Sequence, residues 1–405
     1  TNNKVININA DSATPSNFIT VENATTAKTT DITNLAAGSA VTLENTVNGQ
    51  TIGVVTLGLK DPSGSSDAIT INVNGTSGQG AETVDQIIVA DVETINLSSG
   101  SVGVTPMVAS DSNVITDQSY STATALNITG AANLTMSNAI VGTVLTTIDA
   151  SAMTGNLALT AAAVVLDLKT GSGADTLTFG TTLTVDDVID AGSNPSVLSV
   201  DSLSATINEL GTSAAPGALQ IANVETITLN TATAASFLDA SKITGASTIQ
   251  IENDQNVTIS NLAAGTALML GTDTAGALDE YTGTLDVSLA DETGSADALT
   301  IALSKQGTDD DISATLKTAA TLETLTIQAS TDTATTNDVT LNVASVKSPT
   351  IALTKGDASE VVALGTLSTS TTTLDGSAFD GLMTVTASAV GTSITAKTGA
   401  AANTI

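Results

Sequence analysis

The sequence predicts an all-β chain, either a repetitive β-solenoid or a tandem of β-rich units, with calcium-binding turns. Three observations point there. Short apolar–polar alternations run along the chain, turn-forming residues separate them, and several short motifs recur in a fixed order.

The alternations come first. Lys4-Val5-Ile6-Asn7-Ile8-Asn9, Ala68-Ile69-Thr70-Ile71-Asn72-Val73-Asn74, Thr226-Ile227-Thr228-Leu229-Asn230 and Thr324-Leu325-Thr326-Ile327-Gln328 all repeat every second residue. That period describes a strand with one buried face. Gly, Ser, Asn and Asp fill the gaps between such runs and favour turns. Helical patterning is scarce: 185–189 and 202–210 are the best short-helix candidates, and both read equally well as strand–turn segments.

Four elements recur. The first is Ser66-Asp67-Ala68-Ile69-Thr70, with Ala174-Asp175-Thr176-Leu177-Thr178 and Ala296-Asp297-Ala298-Leu299-Thr300. The second is Val92-Glu93-Thr94-Ile95, with Val224-Glu225-Thr226-Ile227 and Leu322-Glu323-Thr324-Leu325. The third is Asp149-Ala150-Ser151, with Asp239-Ala240-Ser241 and Asp375-Gly376-Ser377. The fourth is Asn34-Leu35-Ala36-Ala37-Gly38, with Asn261-Leu262-Ala263-Ala264-Gly265. Asp67 to Asp297 and Glu93 to Glu323 are both 230 residues apart. The spacing is read as units of roughly 110 residues with loop insertions. They divide as a partial unit over 1–56 and β-rich units over 57–165, 166–286 and 287–405, the last with an incomplete final turn. The chain is expected to start and stop inside a longer repeating architecture. A unit of that length suits a sandwich as well, while the scarcity of large side chains favours a narrow solenoid core.

Composition limits the function. The chain of 405 residues carries 41 acidic residues against 10 lysines, a formal net charge of -31, and no histidine, cysteine, tryptophan or arginine. The apolar fraction of 41% and its β-branched character argue against disorder. Polyanionic nucleic acid would be repelled, as would anionic lipid, and no 18-residue apolar run exists to span a membrane. Without histidine or cysteine, a Ser-His-Asp triad, a Cys-His dyad and a histidine-bearing zinc site are impossible. Lyase chemistry on acidic sugars needs a strong base and cations, which are sparse here, and six aromatics leave little surface for sugar stacking. The chain is therefore expected not to be an enzyme.

Crowded carboxylates repel one another and call for cations, and calcium is the hard cation that takes carboxylate and carbonyl oxygens. The sharpest local motif is Gly171-Ser172-Gly173-Ala174-Asp175-Thr176-Leu177, a degenerate glycine–aspartate calcium turn. Asp67 and Asp297 stand in similar settings, a glycine three positions before and an aliphatic two after. The plainer reading is that each aspartate caps its own turn. Further metal candidates are Asp186, Asp187 and Asp190, the run Asp309, Asp310 and Asp311, and Asp91, which flanks Val92 opposite Glu93.

The elements Val92-Glu93-Thr94-Ile95-Asn96-Leu97, Asp149 to Gly155 and Gly173 to Leu177, with the acidic, cysteine-free, Thr/Ala/Gly-rich composition, resemble the type I-secreted, RTX-like surface-layer proteins of Gram-negative bacteria. The resemblance implies an extracellular lattice subunit that binds Ca2+ and packs against copies of itself. It also implies attachment to lipopolysaccharide through a region outside 1–405. The family's dense nonapeptide tandem is missing. The alternative is the stalk of a repeat-rich calcium-binding adhesin.

Overall fold

The computed structural model of the chain describes all residues except 1–5, 11–18, 23–28, 46–49, 77–80, 103–111, 194–200, 208–209, 232–234, 253–254, 272–280, 304–311, 320, 330–337, 357–359, 388–392 and 402. It separates into two units, Thr1–Leu203 with Ala222–Val224, and Ser204–Ile221 with Glu225–Ile405.

In the first unit each turn of the chain adds one strand to each of two parallel sheets. One sheet contains Thr29–Leu35, Thr51–Leu59, Thr83–Ala90, Ser112–Tyr120, Asn133–Met136 and Leu157–Thr160. The other contains Ala40–Glu44, Ala68–Thr76, Thr94–Val102, Ala125–Gly130, Thr147–Met153, Asp167–Lys169 and Val188–Asp190. The second unit repeats the arrangement. Thr226–Thr231, Thr248–Glu252, Ala267–Leu270, Ala298–Leu303, Thr324–Ala329, Thr350–Lys355 and Thr373–Phe379 pair in one sheet. Ser236–Asp239, Val257–Leu262, Thr284–Leu289, Ile312–Thr318, Asp338–Ser345, Val361–Thr366 and Leu382–Thr386 pair in the other. These pairings are all parallel, so the chain winds as β-solenoid coils rather than folding into antiparallel sandwiches. A two-residue pairing, Gly211–Thr212 with Ala215–Pro216, is antiparallel.

Parallel register stacks like on like. Ile69, Ile95, Leu126, Ile148, Leu168 and Ile189 lie one above another and are all buried. Ile227, Ile249, Leu268, Ile301, Ile327 and Leu353 form the matching column in the second unit. Neighbouring strands stand about 4.8 Å apart, so each branched aliphatic touches the ones above and below it. This is how a chain with so few aromatics builds a core. Tyr120 and Tyr281 are buried with hydroxyls that make no hydrogen bond, and burial pushes both phenols well above their ordinary pKa.

The first column advances by 20 to 31 residues per coil, so a stretch of roughly 110 residues contains several coils. The helix candidates resolve otherwise. Residues 185–189 run from a turn into Val188–Asp190, and 202–210 contains the strand Ser202–Ile207. The helix among the described residues is a single 3-10 turn, Ala240–Lys242. No helix among them is long and apolar enough to cross a membrane.

The Asn-Leu-Ala-Ala-Gly element is a bulge followed by a turn. Asn34 and Asn261 adopt φ of 58° and 57°, and register shifts at both places. Asparagine tolerates this left-handed conformation better than most residues. The extra residue lets Leu35 and Leu262 point into the core again before the chain turns.

Candidate functional site

The recurring motifs converge in space. In the first unit, the Lys60 N–H closes on the Leu35 carbonyl at 2.8 Å, which brings the loop 61–67 beside the Asn34–Gly38 turn. Asp61 Oδ1 accepts from the Ser63 N–H at 3.1 Å and hydroxyl at 2.6 Å, which folds the loop on itself. Gly64 lies directly over the Asp67 carboxylate: a Cβ there would come within 2.4 Å of Oδ2. The Asp67 N–H donates to Glu93 Oε2 at 2.8 Å, and its carbonyl accepts from the Glu93 and Thr94 N–H groups of the next coil. Asp67 Oδ2 is buried and makes no hydrogen bond.

The second unit builds the same constellation. Ala290 N–H reaches the Leu262 carbonyl at 2.9 Å, and Asp291 Oδ1 accepts from the Thr293 N–H at 3.0 Å and hydroxyl at 2.7 Å. Gly294 leans over Asp297, whose N–H donates to Glu323 Oε2 at 2.9 Å. The Asp297 carbonyl accepts from Glu323 and Thr324, and its Oδ2 is again buried without a hydrogen bond. The equal 230-residue offsets of Asp67 and Glu93 thus mark a contact repeated twice. The two copies differ in charge. The first carries Lys60 and Pro62. The second has Ala290 and Glu292 there, and Glu292 accepts from the Leu289 N–H and the Thr321 hydroxyl. An open cleft of about 660 Å³ adjoins the first copy, lined by Leu35, Ala37, Lys60, Asp61, Gly64 and Asp67.

The Ser63 hydroxyl and N–H hold the Asp61 carboxyl below its ordinary pKa, and Thr293 does the same for Asp291. The third recurring element uses this staple without the loop. Asp149 accepts from Ser151, Asp239 from Ser241 and Asp375 from Ser377. Asp375, also bonded to Lys397 at 3.0 Å, is lowered to about 2.

Asp175 is buried. Its Oδ1 accepts from the Leu157 N–H at 2.7 Å, and its own N–H donates to Asp201 Oδ1 at 2.7 Å. Burial raises its pKa, and Thr170, Leu157 and Gly171 nearby pull it partly back. The Thr170 hydroxyl points to the Ala191 carbonyl instead, and Asp175 Oδ2 makes no hydrogen bond. Asp187 is buried and saturated by the Leu166 N–H, the Thr184 N–H and the Thr184 hydroxyl. Asp190 accepts from Gly192 and Asn223. Asp186 faces outward, so the three acids of this segment do not share one focus. Asp91 is exposed at φ 59°, while Glu93 turns to Asp67. Asp309, Asp310 and Asp311 lie outside the described residues. Among the described residues, no group of three or more carboxylate, histidine or cysteine side chains converges on one point.

No protein-family model matches this chain, and no curated protein matches it.

Three buried acids escaped the sequence reading: Glu82, Asp201 and Glu360. Glu82 is 2% exposed and links three coils. Its carboxylate accepts from the Asn45 N–H at 2.6 Å, Asn45 Nδ2 at 2.8 Å and the Thr83 N–H at 3.1 Å. Its own N–H donates to Asn113 Oδ1 at 2.9 Å, and Asn113 Nδ2 faces Ser99 Oγ and the Val73 and Gly100 carbonyls. Burial pushes Glu82 up to about 7 despite these donors, with Glu44 adding repulsion. Nothing in Ala81-Glu82-Thr83-Val84 distinguishes it from an exposed acid by pattern alone; only its place at the start of a core strand does.

Proposed function

We propose that this chain is a non-catalytic, extracellular structural segment whose coils are stabilised by calcium, and that it serves as a subunit of a bacterial surface layer. The observation that carries the reading is the duplicated loop: Asp67 with Glu93 and Asp297 with Glu323, each with a buried carboxylate oxygen that no donor satisfies. A buried acceptor left without a partner is costly, and a hard cation bound by oxygen would satisfy it. The fit is to calcium with few charged ligands, completed by backbone carbonyls and water. Such sites fall near the weak end of the range, about 10⁻⁴–10⁻³ M, typical of extracellular modules. Bound calcium would lower the repulsion within a chain of net charge -31 and stabilise the folded form through linkage.

Thermal unfolding in millimolar calcium against excess chelator tests this, with the Asp67→Asn/Asp297→Asn variant beside the wild type. The melting temperature is expected to rise with calcium in the wild type and to rise less in the variant. Identical melting with and without calcium removes the metal from the reading. Electron microscopy of the calcium-treated chain tests the lattice: ordered sheets support a surface layer, and isolated particles favour an adhesin stalk.

A further inference from the structure

The described surface exposes few large aliphatic side chains, and all but one of them lie together. Val141, Val144, Val165, Val185 and Val188 are 40–61% exposed, and the other is Ile405. The five belong to three successive coils of the first unit. Thr147, Asp167 and Val188 are in register, the Asp167 N–H donates to the Thr146 carbonyl, and the Val188 N–H donates to the Leu166 carbonyl. Val144, Val165 and Val185 sit on the arcs just before those strands, so the valines fall along one edge of a stack whose neighbouring strands stand about 4.8 Å apart. Leu145 and Leu166, between exposed neighbours, point inward and hold the arcs in place.

Charge selects what can cover this strip. Residues 118–166 contain one acid, Asp149, and no lysine, the longest such stretch in a chain of net charge -31. Two copies of so acidic a chain repel each other wherever carboxylates face. They can approach at low cost only where carboxylates are missing, and there Val141, Val144 and Val165 offer apolar surface to bury. Asp167, in register with Val188, and Asp186, beside Val185, are exposed where the acid-poor stretch ends, and both would be repelled by anionic lipid. A basic partner would find little to pair with along most of the strip.

We propose that this valine strip is a contact between two copies of the chain, met about a two-fold axis so that the same strip serves both sides. The strip offers a few hundred Å², below what a stable dimer of about 800 Å² per partner needs. It is therefore a weak contact that acts in an assembly with others. The proposal rests on the self-assembling reading only in naming a second copy as the occupant.

Sedimentation of the full chain over a concentration series tests it, comparing wild type with the Val144→Asp/Val165→Asp variant, whose circular dichroism should be unchanged. The expected result is self-association in the wild type, weakened by about tenfold or more in the variant. Because the chain has no cysteine, Val141→Cys, Val165→Cys and Val188→Cys can each be oxidised alone. At least one should give a disulfide dimer, and Ser313→Cys on an exposed strand position of the second unit should not. Wild-type assembly that the aspartates leave unchanged, with no strip cysteine cross-linking, overturns the strip and leaves the self-assembling reading standing. A wild type that stays monomeric throughout overturns both. Binding to neutral lipid vesicles that the aspartates abolish, without self-association, would assign the strip to a membrane and overturn the proposal.

Discussion

Glu82 makes the pH dependence of the first unit a quantitative test. Its carboxyl is ordinary in the unfolded chain, near 4.5, and is pushed up to about 7 when folded. Below pH 4.5 both states are protonated and the group contributes no pH dependence. Between pH 4.5 and 7 the folded state holds the proton more tightly, so stability falls as pH rises through that window. Above pH 7 the loss is complete and constant. A shift of this size corresponds to at most about 3 kcal/mol. Ala81 beside it is exposed, and solvent screening near the coil surface brings the expectation to about 1–3 kcal/mol.

The informative variant is Glu82→Gln. It removes the charge, but its amide places a donor against one of the N–H groups that Glu82 accepts, at a cost of about 1–3 kcal/mol. The variant should therefore be less stable than wild type at about pH 5, and the gap should close by about 1–3 kcal/mol by about pH 8. The difference between the two proteins cancels the titration of the other carboxylates. Hydrogen exchange of peptides covering 40–45 and 82–90, at fixed calcium, reads the first unit alone. Infrared spectroscopy should show a protonated-carboxyl band near pH 6 that the variant lacks. A stability difference that stays flat from pH 5 to 8, or one that grows in favour of wild type as pH rises, would refute the reasoning.

Two further outcomes follow from local geometry. A Cβ at Gly171 would lie 1.8 Å from the Met153 carbonyl oxygen, whereas one at Gly64 meets only the end of the Asp67 side chain. Gly171→Ala should therefore destabilise by several kcal/mol in denaturant unfolding, while Gly64→Ala should leave the chelated protein nearly unchanged and reduce its calcium response. Asp375 is held at about 2 first by the Ser377 hydroxyl and then by Lys397. Ser377→Ala should raise that value, read by carboxyl NMR titration, and the stability that Asp375 contributes above its ordinary pKa should then disappear at higher pH as acid is added.

Much of the fold was legible because a strand writes its period into the sequence. Ile69 and Ile71 alternate with Thr70 and Asn72, and that alternation becomes the buried column. The coil itself was not legible. Its length varies from step to step, since arcs differ in length while strands stay in register, and the eye finds the longer recurrence of similar loops first. The loops were half legible. Asp67 and Asp297 stood out through their glycines, but Asp187 looked no different and is consumed by Thr184 and Leu166. Acidity along a chain does not say which carboxylate will face a backbone N–H and which will face water.

The sequence alone determined the strand class, the aliphatic rather than aromatic core and the surplus of negative charge, because those depend on residue type and two-residue periodicity. Tertiary structure decided which residues would stack from coil to coil, 20 to 31 positions apart in the first unit's column and 19 to 33 in the second's. From that stacking came the pairing of Asp67 with Glu93, the burial of Glu82 and the gathering of five valines on one edge. Each of these depends on arc length and register between coils, and no local pattern carries that distance.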